Sequence, residues 1–164
     1  EMPYFLSPEM GSWNSARRSR EGGEAVRAML SLEMLGYYRD EPNTQKYPPP
    51  LGLLYPDRGN FIAFVGDLGA RALVRKSISL FRKHAQFPSE GVAAPSFVPG
   101  ITLSDHWSFR TQGFPAIMVT DTAYNRYPHY HLPSDTPEKL DYERLARVTL
   151  GLRGVLRELA ADHR

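Results

Sequence analysis

The chain contains no cysteine. Disulfides and thiolate metal sites are therefore excluded, while the compartment stays open. No apolar run approaches the roughly 18 residues of a membrane-crossing helix. Charge of one sign is also missing: 20 basic and 18 acidic side chains leave a formal net charge of +2. Nothing in that balance points to a nucleic acid or a membrane surface as partner. The densest basic patch, "ARRSR" at 16–20, reads as a solvated helix face. Several motifs are lacking too. There is no G-x-S-x-G for a serine-hydrolase elbow and no H-E-x-x-H for a zincin-type metalloprotease. "GDLGAR" at 66–71 lacks both the dinucleotide-binding glycine spacing and a P-loop lysine, so Gly66 and Gly69 read as packing and turn glycines. No internal repeat and no low-complexity segment is visible.

The 164 residues suit a single domain, 1–164, large enough for a real core. The chain begins at Glu1 rather than Met and has no apolar leader after it. "EMPYF" reads as the middle of a longer sequence, and a C-terminal portion of a larger protein is expected.

Periodicity orders the elements. A helix is expected over 9–20, ended by Gly22 and Gly23. The apolar run 25–35 reads as a buried strand. Residues 36–60, rich in proline and tyrosine, form a long loop of the kind that is functional or disordered. A strand at 60–67, a helix at 68–85 and a short strand at 91–98 follow. A short helix is expected at 104–113, with Ser104 or Asp105 as cap and Gly113 as stop. The strand 115–121 and an amphipathic helix, 141–162, close the chain. This alternation argues for an α/β fold, an αβα sandwich with a mainly parallel central sheet. In such sheets ligands bind beyond the carboxyl ends of the strands.

A few residues stand out for chemistry. Glu33 sits in an otherwise apolar strand, where a carboxylate is costly unless paired, bound to metal or at the open end. A salt bridge at the strand end explains it equally well. Asp105 and His106 read as a helix cap with an incidental histidine, or as a supporting pair at the mouth of a site. His129 and His131 flank Tyr130 in a loop. An H-x-H can ligate metal through neutral imidazole, but alone it is weak evidence. The turn after it, through Ser134, Asp135 and Pro137, is specified tightly enough to hold a histidine in place.

Four blocks together resemble a known family. They are "EMPYFLSPEMGSWNSA", "LSLEMLGYY", "SDHWSFRTQGFPAIMVTD" and "YHLPSDTPEKLDYERLA". In this order they are similar to the C-terminal part of the co-catalytic zinc aminopeptidases, a group that includes the bacterial leucyl aminopeptidases, aminopeptidase Y, glutamate carboxypeptidase II and the glutaminyl cyclases. The resemblance implies a three-layer zinc-exopeptidase fold with its N-terminal part missing, and so an exposed sheet edge. It implies Glu1, Glu33 and His131 as metal ligands, shared between two zinc ions. Asp105, His106 and Asp135 would support the site or its substrate, and His129 would be a loop or rim residue. The general-base glutamate is expected just before Glu1, so no catalytic residue is expected within this chain, and the chain alone is expected to be inactive. The chemistry implied is hydrolysis of an N-terminal peptide bond by water shared between two zinc ions, with a peptide or aminoacyl substrate as partner. Two other readings stand beside it: a non-catalytic binding or assembly module on the same fold, and a glutaminyl cyclase.

Overall fold

Alternate residues of each strand face opposite sides of a sheet, and this alternation organises the molecule. A computed structural model describes residues 3–161. Its elements are α1 (Gly11–Glu21), β1 (Met29–Glu33), β2 (Ile62–Asp67), α2 (Arg71–His84), β3 (Ser89–Ala94), α3 (His106–Thr111), β4 (Ala116–Thr120) and α4 (Tyr142–Ala161). The four strands form one sheet in the order β1-β4-β2-β3. β1 pairs with β4 and β2 with β3 in parallel, whereas β2 and β4 run antiparallel. The α/β class and the mainly parallel sheet expected above are therefore present, with one antiparallel pairing at the centre.

One face carries Leu30, Ile62, Phe64, Ile117 and Val119. α2 and α4 cover it with Val74, Phe81, Val148, Leu152 and Val155. Each fully buried aliphatic or aromatic side chain here contributes about 1.5–3 kcal/mol. The two helices approach closely at Gly151, where a Cβ would lie 2.5 Å from the Phe81 ring. The opposite face carries Phe61, Ala63, Val65 and Met118. α3 lies on this side: Ser104, just before it, bonds to Ser31 of β1. α1 packs outside α3 through Ser12 and Ser108, 2.9 Å apart, and through Trp13 against Trp107. Helices thus flank the sheet on both faces, as a three-layer sandwich requires.

Several boundaries differ from the periodicity. The strand expected at 25–35 narrows to Met29–Glu33. Met34 takes a left-handed backbone, φ 44°, which ends the strand, and its carbonyl accepts from Asp121 N. Pro95 follows Ala94, so β3 stops before the expected "PSFV". The helix expected from residue 68 begins as a 3₁₀ turn, because the Asp67 carboxylate accepts from Ala70 N and tightens the entry. α3 has Asp105 at its N-cap but no side-chain cap bond, and Gly113 with φ 85° stops it. The loop 36–60 is ordered rather than free. Arg39 N bonds Gly59 O, Gln45 N bonds Asp57 O, and Lys46 N bonds Asn125 O. Among the described residues β1 is an edge strand, and Leu32 on it is 55% exposed.

Candidate active site

The face opposite α2 and α4 is only partly filled. A cavity of about 520 Å³ opens on it, with Ala63, Val65, Met118 and Thr120 among its lining residues. Its walls come from the loop 36–60 through Gln45, Tyr47 and Tyr55, from the stretch before α3 through Ile101 and Ser104, and from the loop after β4 through Tyr124 and Tyr130. The parallel pairing of β1 with β4 leaves their carboxyl ends together, since Glu33 pairs with Thr120.

At that end three of the sequence candidates line the same cavity: Glu33, Asp105 and His131. They come from β1, the N-cap of α3 and the loop after β4. Glu33 is half-buried, and burial raises its carboxyl above the ordinary range. The Ser104 hydroxyl, donating at 3.4 Å, opposes that rise; the Asp105 and Asp121 charges add to it and His131 opposes it. His131 takes a left-handed backbone, φ 58°, a conformation uncommon outside glycine but one that histidine enters more readily than most residues. Its ring stacks on Tyr130 at 3.9 Å and 19°. Bonds from Leu132 N to His129 O and from Asp135 N to Leu132 O hold this turn.

The other candidates lie elsewhere. His106 turns away from the cavity and is almost wholly buried. Its Nε2 donates to Ile101 O at 2.7 Å, and its Nδ1 has no hydrogen-bond partner among the described residues. Burial lowers its pKa and favours the neutral ring. Asp135 accepts from the Tyr127 hydroxyl at 2.7 Å, outside the cavity lining. His129 meets Ser134 Oγ at 2.9 Å and also stands outside it. Glu1 lies outside the described residues.

Two buried ionic residues that shape the site were not singled out from the sequence. Asp121, at the end of β4, accepts from Tyr37 N at 2.9 Å and Ala123 N at 3.0 Å. It ties the loop after β1 to the loop that carries Tyr130 and His131. Burial raises its carboxyl, and the two amide bonds oppose that. Arg126 donates to Gln45 Oε1, Phe61 O and Tyr37 O. Its guanidinium lies 4.7 Å from the Phe61 ring centroid, and burial pulls its pKa down to about 10. A carboxylate closing a strand, in "VTDTA", was the available sequence signal for Asp121. Arg126 had none, because its acceptors are backbone carbonyls and a glutamine far away in sequence.

Among the described residues no group of three or more acidic or histidine side chains stands close enough to hold a metal ion. The donor chemistry nevertheless suits a cation. Glu33 lies within the field of two further carboxylates, and among the described residues its carboxylate accepts one hydrogen bond, a long one at 3.4 Å. A bound cation would relieve that repulsion.

The pattern of Peptidase family M28 matches residues 9–156 of this chain. The chain is 41% identical to the uncharacterized protein YfbL of Escherichia coli, over 93% of this chain and 46% of that protein. It is 45% identical to a probable leucine aminopeptidase of Arthroderma benhamiae, over 87% of this chain and 34% of that protein. Among solved structures, the LapA aminopeptidase of Legionella pneumophila matches with a TM-score of 0.69 at 18% identity, covering 94% of this chain and 37% of that one. LapB of the same organism matches at 0.68 and 17% identity, covering 93% and 36%. At these identities the two structures bear on the fold alone. The chain spans less than half the length of each of these relatives.

Proposed function

The chain belongs to peptidase family M28, and on that premise we propose that it is part of a zinc-dependent aminopeptidase that removes the N-terminal residue of peptides. The observation that carries this reading is the convergence of Glu33, Asp105 and His131, from three separate segments, on one end of an otherwise largely apolar cavity. Names of relatives support the same activity, since several are leucine aminopeptidases.

Glu33 and His131 would each contribute a ligand to one of two zinc ions, and Glu1 a third ligand. Bound zinc supplies Lewis acidity toward a carbonyl and lowers the pKa of a coordinated water. The chain's own residues would position the ligands and the substrate. The left-handed turn at His131, stacked on Tyr130, presents imidazole without a search through rotamers. Asp105 and Ser104 hold negative charge and a hydroxyl beside Glu33. The apolar walls exclude water and receive the side chain of the substrate's first residue. The family resemblance would assign the general base to a glutamate preceding Glu1.

Metal analysis and kinetics of the full-length protein test the proposal. The expected result is about two zinc ions per chain, hydrolysis of aminoacyl 4-nitroanilides, loss of activity with a chelator and recovery with zinc. H131A is expected to lower zinc content and to reduce kcat/KM by at least about 100-fold. One rival is a non-catalytic binding module on the same fold. Full-length protein that retains no zinc and hydrolyses none of these substrates would establish that rival. Cyclisation of a peptide with N-terminal glutamine, without anilide hydrolysis, would indicate a cyclase instead.

A further inference from the structure

The cavity has a second end, and the strand register aligns it with the first. Glu33 pairs with Thr120, Thr120 with Ala63, and Ala63 with Glu90. These four residues lie in one row across the sheet, and all line the cavity. With neighbouring strands about 4.8 Å apart, Glu33 and Glu90 stand about 14 Å apart along the row. A threonine and an alanine separate them, so the floor between the two carboxylates is low.

Glu90 is unusual for a partly buried acid. Among the described residues no hydrogen bond or ion pair holds its carboxylate. Burial, opposed only by the Arg82 charge, raises its carboxyl above the ordinary range. Arg82 belongs to α2 on the far side of the sheet, where its guanidinium bonds the side chain and carbonyl of Ser89. On the cavity side Glu90 faces Tyr47 and Tyr55. Burial and then the Glu90 charge push the Tyr55 hydroxyl up. Both hydroxyls are spent on backbone carbonyls, Tyr47 on Pro56 O at 2.6 Å and Tyr55 on Gly91 O at 2.9 Å. They therefore offer Glu90 aromatic walls and no donor. A carboxylate in such a place is costly without a cation.

We propose that Glu90 makes this cavity selective for substrates whose first residue carries a cationic side chain, lysine or arginine. The inference rests on the aminopeptidase reading above, which sets the reacting amide at the Glu33 end. From there a basic side chain crosses Thr120 and Ala63, lays its methylenes against Tyr47, Tyr55 and Met118, and meets Glu90 with its charge. Long basic side chains suit such a path because the stem is apolar and only the tip is charged. A leucine would fill the near part of the cavity and leave the carboxylate unpaired.

Norleucine has lysine's length without the amine, so the pair isolates the charge. Hydrolysis of lysyl, arginyl, norleucyl and leucyl 4-nitroanilides by the zinc-loaded full-length protein is the primary test. The expected kcat/KM for lysyl over norleucyl is at least about tenfold, and E90Q brings that ratio to about one while the norleucyl rate changes less than about threefold. A wild-type ratio at or below one, or a ratio that E90Q leaves unchanged, overturns the inference while leaving the aminopeptidase reading intact. Calorimetric binding of L-lysinamide and L-norleucinamide to wild type and E90Q covers a protein that hydrolyses none of the four. Tighter lysinamide binding that E90Q abolishes supports the basic pocket although the peptidase reading has failed. Equal binding of both amides overturns the pocket as well.

Discussion

The same four strands present two different surfaces. Under α2 and α4, Phe64, Phe81, Ile117, Val119, Val148 and Val155 are fully buried, and Ser77 brings the one unpartnered buried hydroxyl among the described residues. Across the sheet, one residue along each strand, stand Glu33, Thr120, Ala63 and Glu90 beside an open cavity. The first surface is a packed interior. The second trades packing for carboxylates, hydroxyls and space. Period-two alternation lets a chain do both with one sheet, because adjacent residues of a strand belong to different environments.

Substitutions on the two faces separate these roles. The largest effect is expected from F81A, which removes a fully buried ring between β2 and α4 and should cost about 3–5 kcal/mol in urea unfolding. A loss below about 1 kcal/mol would mean that the packed face does not dominate stability. R126A comes next and sharpens the contrast, because it lies on the cavity side. It strands the acceptors Gln45 Oε1, Phe61 O and Tyr37 O, and about 3 kcal/mol is expected. That outcome would show that the open face has its own rigid frame beneath the cavity.

D67N is expected to cost about 1–2 kcal/mol at neutral pH. Asp67 accepts from Arg110 Nε at 2.9 Å and from Ala70 N at 2.8 Å. Burial pushes its carboxyl up, but these partners outweigh burial and the net shift is downward from 3.8. A carboxylate with a lowered folded pKa contributes stability above its unfolded pKa and loses it as pH falls through the folded value. The difference between wild type and D67N should therefore shrink below pH 3.8 and vanish at lower pH. A difference independent of pH would assign the cost to packing rather than charge. The smallest effect on stability belongs to E90Q, within about 0.5 kcal/mol, since no partner in the described residues is lost. Its consequence is expected in substrate choice alone.

Much of this was legible in the chain. The helix and strand periods placed every element within a few residues, and "SDH" and "YHLPSD" marked two of the segments that border the cavity. Glu33 stood out because a carboxylate interrupts an apolar run. The boundary errors have local causes: a left-handed Met34, Pro95 after β3 and the Asp67 turn before α2. Asp105 and His106 are adjacent, so the sequence alone offers them as a pair. In the helix that follows, successive side chains point about 100° apart, and the structure sends one to the cavity and the other into the interior.

The residue types along each strand dictated which face would be greasy and which could hold charge, since alternation is a property of the backbone itself. Their grouping into a site required the strand order. β2 lies antiparallel beside β4, and only that pairing brings Glu90, from a strand late in the sheet, into line with Glu33. Register between distant strands is decided by how whole faces pack, with α2 and α4 burying one side. No local stretch of sequence encodes it, and the same holds for Arg126, whose partners come from three separate segments.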